Sequence, residues 1–319
     1  GYQYNAAREI SGARDYINTL APPGKQTRVV LWSGDTQPLE TPVRLAYQAG
    51  LLNMNSGNTW ISKAEPSLTL VGPIGMMKGE WFHTYAPMQN ENVYTNNWTG
   101  PYYGFERVIE TFEMTERPLR LKPVNIYYHT YIASKRASIA SLHKVYDWAG
   151  ARLKEQTLHP VYSSQYIERA LDWRRATVAR TGSGALELRG GPNLREWRVD
   201  APATVPPASV ATGIAGQARH EGAAYVHTAT PVAQYQASAP GQPDRFHLES
   251  ANARLTGWES RGGLQQMRFD GHVPLHATFH APGCELQPDA GLRAARRGDR
   301  LDVEATRLGT TLVVLRCPG

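Results

Sequence analysis

Apolar and amphipathic segments alternate along the first 180 residues, and the spacing of their apolar positions distinguishes strands from helices. Short apolar runs that end in small or polar residues predict buried strands over 27–35, 51–59 and 121–129, with further apolar segments over 67–76 and 80–87. Apolar residues three and four positions apart predict helices over 5–20, 38–50, 102–116, 134–155 and 163–180. This order of elements is typical of an α/β sheet with its site at the carboxyl ends of the strands.

The pattern changes near Gly182, where alternation of period two replaces the helical spacing. Gly, Pro and Asp turns separate these strands, which predicts an all-β sandwich. Its predicted strands lie over 185–190, 196–200, 245–258, 264–281 and 301–317. Residues 201–218 have few aromatic or charged side chains and predict a flexible connector. The sequence therefore predicts two domains, over 1–182 and 183–319.

Composition narrows the classes of protein that remain. Hydrophobic residues make up 41% of the 319 residues, enough to bury a sizeable core, and the net charge of +6 is scattered. Without a basic run that could follow phosphates, we expect no nucleic-acid partner. No apolar run approaches the roughly 20 residues of a membrane-spanning helix, so we expect no membrane span.

The two cysteines, Cys284 and Cys317, are either free thiols or one disulfide that ties down the last strand. We favour the disulfide, which would stabilise the fold by about 3–4 kcal/mol in the chain-entropy model. It would also imply an oxidising compartment.

Two residues at predicted strand ends are candidates for catalysis. His129 follows an apolar run, so burial would keep its imidazole neutral and able to transfer protons, although a hydrogen-bonded structural histidine explains the position as well. Asp35 ends another predicted strand and could orient a histidine, hold a metal or cap the following helix.

Amide and aromatic side chains are the candidates for ligand binding. They are concentrated in the loop over 83–105, where aromatic faces could stack on sugar rings and amides could bind hydroxyls, unless the rings turn inward. The predicted substrate-binding residues, from this loop and from the strand ends, are Trp32, Asn53, Asn55, His83, Asn90, Asn92, Tyr94, Trp98 and Tyr103.

Four stretches carry a resemblance to a known family: "LWSGDTQP", "NMNSGNT", "QNENVYTNNWTGPYYGFERVIETFE" and "RLKPVNIYYHTYIASKRAS". They resemble the C-terminal part of PelA-type glycoside hydrolase/polysaccharide deacetylase proteins of bacterial exopolysaccharide systems. The likeness continues into the second half through "FHLESANARLTGWES" and "GHVPLHATFHAPGC". It implies a distorted (β/α) barrel of polysaccharide-deacetylase type, of which part is present here, followed by a jelly-roll-like β-sandwich.

The resemblance also implies an activity, namely removal of acetyl groups from an N-acetylated amino-sugar polymer. In such enzymes a divalent metal, zinc or similar, polarises the amide and activates water. A histidine matching His129 then protonates the leaving amine. The aspartate and HxxxH metal motifs of the family are not found in this sequence, so we assign no metal ligand here. We expect a fragment whose metal ligands lie upstream and which is inactive by itself.

A second interpretation gives the chain no catalytic role. It would be a carbohydrate-binding or scaffolding module of an exopolysaccharide export system, with other secretion proteins as partners. Both interpretations predict a periplasmic or secreted protein.

Overall fold

The structure is a computed structural model that describes residues 1–86, 90–95, 100–116, 120–155, 157–200, 206–236 and 246–318. The chain divides into two compact units, Gly1–Ala170 and Leu171–Gly319, called here the N-terminal and C-terminal units. The division falls at residue 170, whereas the sequence pattern changes near residue 182.

Helices and short strands build the N-terminal unit. A π-helical turn, Arg8–Gly12, leads into α1, and 3₁₀ turns lie at Leu68–Leu70, Tyr102–Arg107 and Thr130–Ser134. The α-helices are α1 (Ala13–Leu20), α2 (Glu40–Gln48), α3 (Val108–Met114), α4 (Arg136–Lys154) and α5 (Ser163–Arg175), the last of which extends past residue 170. The strands are β1 (Val29–Leu31), β2 (Leu52–Met54), β3 (Gly75–Lys78) and β4 (Trp81–Thr84).

These four strands form one open sheet in the order β1-β2-β4-β3. β1, β2 and β4 run parallel and β3 pairs antiparallel with β4, so the carboxyl ends of three strands lie at the same edge. Among the described residues no sheet closes into a barrel. The mixed α/β class is therefore confirmed only at this coarse level.

The strand predicted over 121–129 is wrong, because these residues are described outside any ladder. Lys122 is buried near its start and donates from Nζ to the carbonyl of Pro73 at 2.7 Å. Pro123 has no N–H to give to a ladder. Val124 and Ile126 are partly buried and pack against a core cluster. The apolar pattern of this segment therefore comes from packing outside any sheet.

Strands build most of the C-terminal unit, in three sheets. A seven-stranded sheet has the order β16-β17-β14-β11-β8-β9-β7, a four-stranded sheet β12-β13-β18-β15, and a three-stranded sheet β10-β6-β5. The strands are β5 (Thr177–Arg180), β6 (Leu186–Arg189), β7 (Glu196–Asp200), β8 (Ile214–His220), β9 (Ala223–Thr228), β10 (Val232–Tyr235), β11 (His247–Ala251), β12 (Arg254–Arg261), β13 (Leu264–Asp270), β14 (His276–His280), β15 (Glu285–Leu286), β16 (Leu292–Arg297), β17 (Arg300–Ala305) and β18 (Thr311–Arg316).

One apolar core is shared by the two larger sheets of this unit. Phe279 and Val303 contribute from the seven-stranded sheet, and Met267, Phe269 and Val313 from the four-stranded sheet. Each of these side chains is at most 1% exposed, and β13 and β17 alternate buried residues with more exposed ones. Cys284 and Cys317 lie at the same core and form a disulfide.

The connector predicted over 201–218 is only partly seen. Residues 201–205 lie outside the described residues, and Ile214–His220 form β8 inside the seven-stranded sheet. Gly216 and the small residues around it give weak strand signals, but β8 pairs with β9 and lies parallel to β11. In the part of the chain that the structure describes, no helix is long and apolar enough to cross a membrane.

Candidate functional site

The carboxyl ends of β1, β2 and β4 bring together four predicted site residues, called here the strand-end cluster: Trp32, Asn53, Asn55 and His83. Asn53 Oδ1 accepts a hydrogen bond from Trp32 Nε1 at 3.2 Å and lies 2.9 Å from His83 Nδ1. Asn55 Nδ2 donates to the carbonyl of Trp32. The parallel strands thus place amide and imidazole side chains in direct contact, as their strand-end positions predict.

Burial sets the chemistry of this cluster. Asn53, Asn55 and His83 have no exposed surface, and burial lowers the pKa of His83 to about 4, against the opposing effect of its contact with the carbonyl of Thr36. His83 is therefore neutral at pH 7 and carries one N–H between two oxygens, Asn53 Oδ1 and the Thr36 carbonyl at 3.2 Å. These side chains hold the strand ends together and have no surface with which to touch a polymer.

Asp35 lies apart from those buried residues. It is exposed, and its Oδ1 accepts the backbone N–H of Gln37 at 3.0 Å, which closes a local turn. With Trp32 it lines a mostly apolar cleft of about 400 Å³ beside α1. His129 is not among the residues that line this cleft.

His129 belongs to a second group of side chains, centred on Glu91. Glu91 Oε1 lies 2.8 Å from His129 Nδ1 and also accepts the backbone N–H of His129 at 3.0 Å. The Glu91 side chain is 0% exposed, whereas that of His129 is 29% exposed. A buried carboxylate therefore fixes the imidazole of a residue that solvent can reach. We call this pair the carboxylate–histidine dyad.

Both halves of the dyad are anchored in the same apolar core. Tyr94 follows Glu91 in one tight turn, is 5% exposed and donates from its hydroxyl to Thr111 Oγ1 at 2.6 Å. Ile132, which follows His129 in a 3₁₀ turn, is fully buried in the same cluster as Tyr94. Since interior packing resists small displacements, these anchors hold the carboxylate and the imidazole in register.

Aromatic rings and an amide surround the imidazole. The Tyr131 ring stacks on it at 4.8 Å with an interplanar angle of 6°, and the Tyr127 ring meets it edge-on at 5.6 Å. Asn92 Nδ2 donates to the Tyr131 hydroxyl at 2.9 Å and lies 3.4 Å from His129 Nδ1. Burial is the main cause of a raised pKa for Tyr131, to which the negative charge of Glu91 adds. Tyr131 is therefore a neutral hydrogen-bonding group at pH 7.

This geometry assigns the two nitrogens of the imidazole. A neutral ring that donates Nδ1–H to Glu91 has its lone pair on Nε2, and a protonated ring carries a proton there. The buried carboxylate orients the ring and fixes a proton on Nδ1, which is the arrangement that acid–base histidines use. The dyad can therefore hold or deliver a proton at Nε2.

We compared the chain with protein-family models, with curated proteins and with solved structures. None of the three comparisons found a match. The resemblance to PelA-type proteins therefore stays a prediction from the quoted motifs.

The remaining predicted binding residues lie in different environments. Asn90 and Asn92 are 2% and 4% exposed, and Asn90 Oδ1 accepts the backbone N–H of Asn92 at 3.0 Å, which shapes the turn that carries Glu91. Tyr94 is a core residue, as described above, and does not face solvent. Tyr103 is 56% exposed and can reach a ligand. Trp98 lies outside the described residues.

The described residues contain no site built to hold a metal ion. Over these residues no group of three or more His, Cys, Asp or Glu side chains could hold a metal ion. The donors present therefore do not fit the one-Asp, two-His set that the resemblance implies, and we derive no reaction step through a metal.

Sequence analysis missed Glu91, Tyr127 and Tyr131. Glu91 carried one usable signal, since it is the only carboxylate in the Asn-rich run over 89–97. Nothing in the sequence paired it with His129, which lies 38 positions away. Tyr127 and Tyr131 lie two positions before and after His129. Residues two apart share one face of a strand, so the predicted strand could have pointed to Tyr127.

Proposed function

We propose that the chain is part of an enzyme that removes acetyl groups from an N-acetylated amino-sugar polymer. The observation that carries the proposal is the carboxylate–histidine dyad, in which fully buried Glu91 holds partly exposed His129. In this proposal the four-stranded sheet of the N-terminal unit belongs to a distorted (β/α) barrel. The seven- and four-stranded sheets of the C-terminal unit form the jelly-roll-like sandwich.

The chemistry of amide hydrolysis gives the dyad a specific task. An amine is a poor leaving group until its nitrogen is protonated, so the reaction needs a positioned acid beside the scissile bond. His129 would carry that proton on Nε2, while Glu91 keeps the ring oriented. Tyr131 and Tyr103, which are 37% and 56% exposed, would contact the sugar.

The compartment is a further part of the proposal. The Cys284–Cys317 disulfide supports a periplasmic or secreted protein, because such bonds persist in oxidising compartments.

A second candidate is a non-catalytic carbohydrate-binding or scaffolding module of an exopolysaccharide export system. The observation in its favour is the exposed ring of Tyr131, which stacks on His129, together with the exposed ring of Tyr128 next to His129 in the sequence. Such rings can hold a polymer without acting on it, and they also suit contact with another secretion protein.

The test is release of acetate from oligomers of N-acetylated amino sugars with added Zn²⁺. It compares this chain with a polypeptide extended N-terminally by about one domain of roughly 100–150 residues. We expect activity in the extended form, and we expect His129→Ala to lower it by about 10²–10⁴-fold. Glu91→Gln should lower it less and shift the pH profile, because Glu91 acts through the imidazole.

His143→Ala is the matched control, since this histidine is exposed on α4. Full activity of His129→Ala would rule out the dyad as the acid. Oligomer binding without acetate release in both forms would favour the non-catalytic module.

A further inference from the structure

The C-terminal unit contains a pocket that the proposed reaction does not use. It has a volume of about 670 Å³, which lies within the range of small-molecule sites. Two aromatic rings, Phe246 and Trp258, form part of its wall, and Ser209, Ser260 and Gln265 supply polar groups. None of the described residues that line it is charged.

The polar groups of the pocket are linked by hydrogen bonds that orient them. Trp258 Nε1 donates to Gln265 Oε1 at 3.0 Å, and Gln265 Nε2 donates to Ser260 Oγ at 2.8 Å. With its acceptor role filled by Gln265, the exposed Ser260 hydroxyl has its own hydrogen to donate to a ligand. The second N–H of the Gln265 amide is a further donor.

The wall of the pocket is held rigidly. Trp258 and Phe246 both pack against the apolar core, and the Phe246 ring stacks on Phe279 at 5.8 Å. The disulfide between Cys284 and Cys317 lines the pocket as well. A site whose rings and donors are already fixed loses little conformational entropy on binding, which favours a specific ligand.

These features select one class of ligand. An anionic or cationic ligand would find no partner charge in the described lining, and a purely apolar ligand would leave the amide and hydroxyls unpaired. A sugar ring satisfies both conditions, because its C–H face stacks on an aromatic ring while its hydroxyls and acetamido group exchange hydrogen bonds. We infer that this pocket binds an uncharged sugar unit, at a site separate from the carboxylate–histidine dyad. The choice of an N-acetylated amino sugar as that unit rests on the proposed function.

The inference is tested by calorimetric titration of this chain with tetramers of N-acetylglucosamine and N-acetylgalactosamine, and with their deacetylated, cationic counterparts. We expect the acetylated tetramers to bind and the cationic ones to bind at least about tenfold more weakly. Ala211→Trp should fill the pocket and weaken binding by about tenfold or more. Ala211 is exposed in a turn, so this variant leaves the core intact.

Further variants separate loss of the pocket from other causes of weakened sugar binding. Trp258→Ala should weaken binding to a similar extent, with thermal unfolding as the check on its fold. Trp173→Ala, at an indole that is 56% exposed and outside the pocket, should bind as the unchanged chain does. Loss of acetate release in His129→Ala and loss of sugar binding in Ala211→Trp are independent results, because the two residues belong to different sites.

Three results would overturn the inference. The first is that no acetylated tetramer binds, and the second is that Ala211→Trp binds as tightly as the unchanged chain. The third is binding that Tyr131→Ala removes and Ala211→Trp does not, which would assign the sugar to the N-terminal unit.

Discussion

The two units bury different kinds of side chain. In the described part of the chain, all buried polar or charged side chains except Thr228 and Thr278 belong to the N-terminal unit. Among those of the N-terminal unit are Asn53, Asn55, His83, Asn90, Glu91, Asn92 and Lys122. The shared core of the two larger sheets in the C-terminal unit consists of apolar side chains and the disulfide.

This difference indicates where stability and chemistry are concentrated. Burying an amide or a carboxylate is unfavourable unless its hydrogen bonds are made. A cluster of buried polar groups therefore indicates that these groups position other residues. In the N-terminal unit the buried polar groups position the strand ends and His129. In the C-terminal unit the apolar core holds two sheets together and supports the pocket that Trp258 lines.

The largest expected effect comes from opening the apolar core. Phe279 has no exposed surface and packs against the rings of Phe246 and Phe269. Phe279→Ala should lower the free energy of unfolding by about 3–5 kcal/mol, because it removes apolar contacts and leaves a cavity. Chemical denaturation gives the size of the loss, and hydrogen exchange should show it in the strands of the C-terminal unit.

Leu308→Ala is the control for this prediction. Leu308 is 68% exposed in the same unit, so its removal should change stability by no more than about 0.5 kcal/mol. Equal losses in the two variants would mean that the core around Phe279 is not the main source of stability in this unit.

The same difference explains how much the sequence could predict. Alternation of period two finds strand structure over 245–258, 264–281 and 301–317, but each of these predicted strands covers parts of two strands in different sheets. Leu255, Met267 and Val313 of β12, β13 and β18 point to one apolar core. Helical spacing locates α2, α4 and α5 in the same way. Elements whose stability comes from a single apolar face are visible in the pattern of their own residues.

The dyad is not visible in that way. Its parts come from a turn and from an extended segment, and Glu91 meets His129 across 38 positions with no periodic signal. Tyr94, predicted to bind sugar, instead anchors the turn through its hydrogen bond to Thr111. The residue types alone do not tell a ring that faces solvent from one that fills a core, since tyrosine does both.

A smaller effect is expected from the pH dependence of the strand-end cluster. The pKa of His83 is about 4 in the folded chain and 6.5 in an unfolded one. The unfolded chain therefore takes up a proton first as the pH falls, so stability is complete above pH 6.5 and decreases down to about pH 4. The loss over this window should reach up to about 3 kcal/mol.

Denaturation of the chain and of His83→Gln at several pH values measures this loss. The variant should be less stable at pH 7 but show a flatter profile between pH 6.5 and 4. His143→Gln, at an exposed histidine of α4, should keep the original slope. An unchanged slope in His83→Gln would show that another group takes up the proton.

The smallest effect is expected at Lys122, where the polar interior of the N-terminal unit should be improved by an apolar side chain. Lys122 is 2% exposed, and burial lowers its pKa to about 8, from 10.5. The unfolded chain is thus protonated first as the pH falls from 10.5 to 8, and the cost of the buried charge is complete at pH 7. Its hydrogen bond to the Pro73 carbonyl offsets part of that cost.

Lys122→Met fills a similar volume without a charge, so we expect the free energy of unfolding to rise by about 1 kcal/mol at pH 7, as measured by chemical denaturation. The gain should disappear above pH 10.5, where the lysine is neutral in both states. Lys122→Ala, which leaves a cavity, should instead be destabilising. A loss of stability in Lys122→Met would mean that the hydrogen bond to the Pro73 carbonyl outweighs the cost of the buried charge.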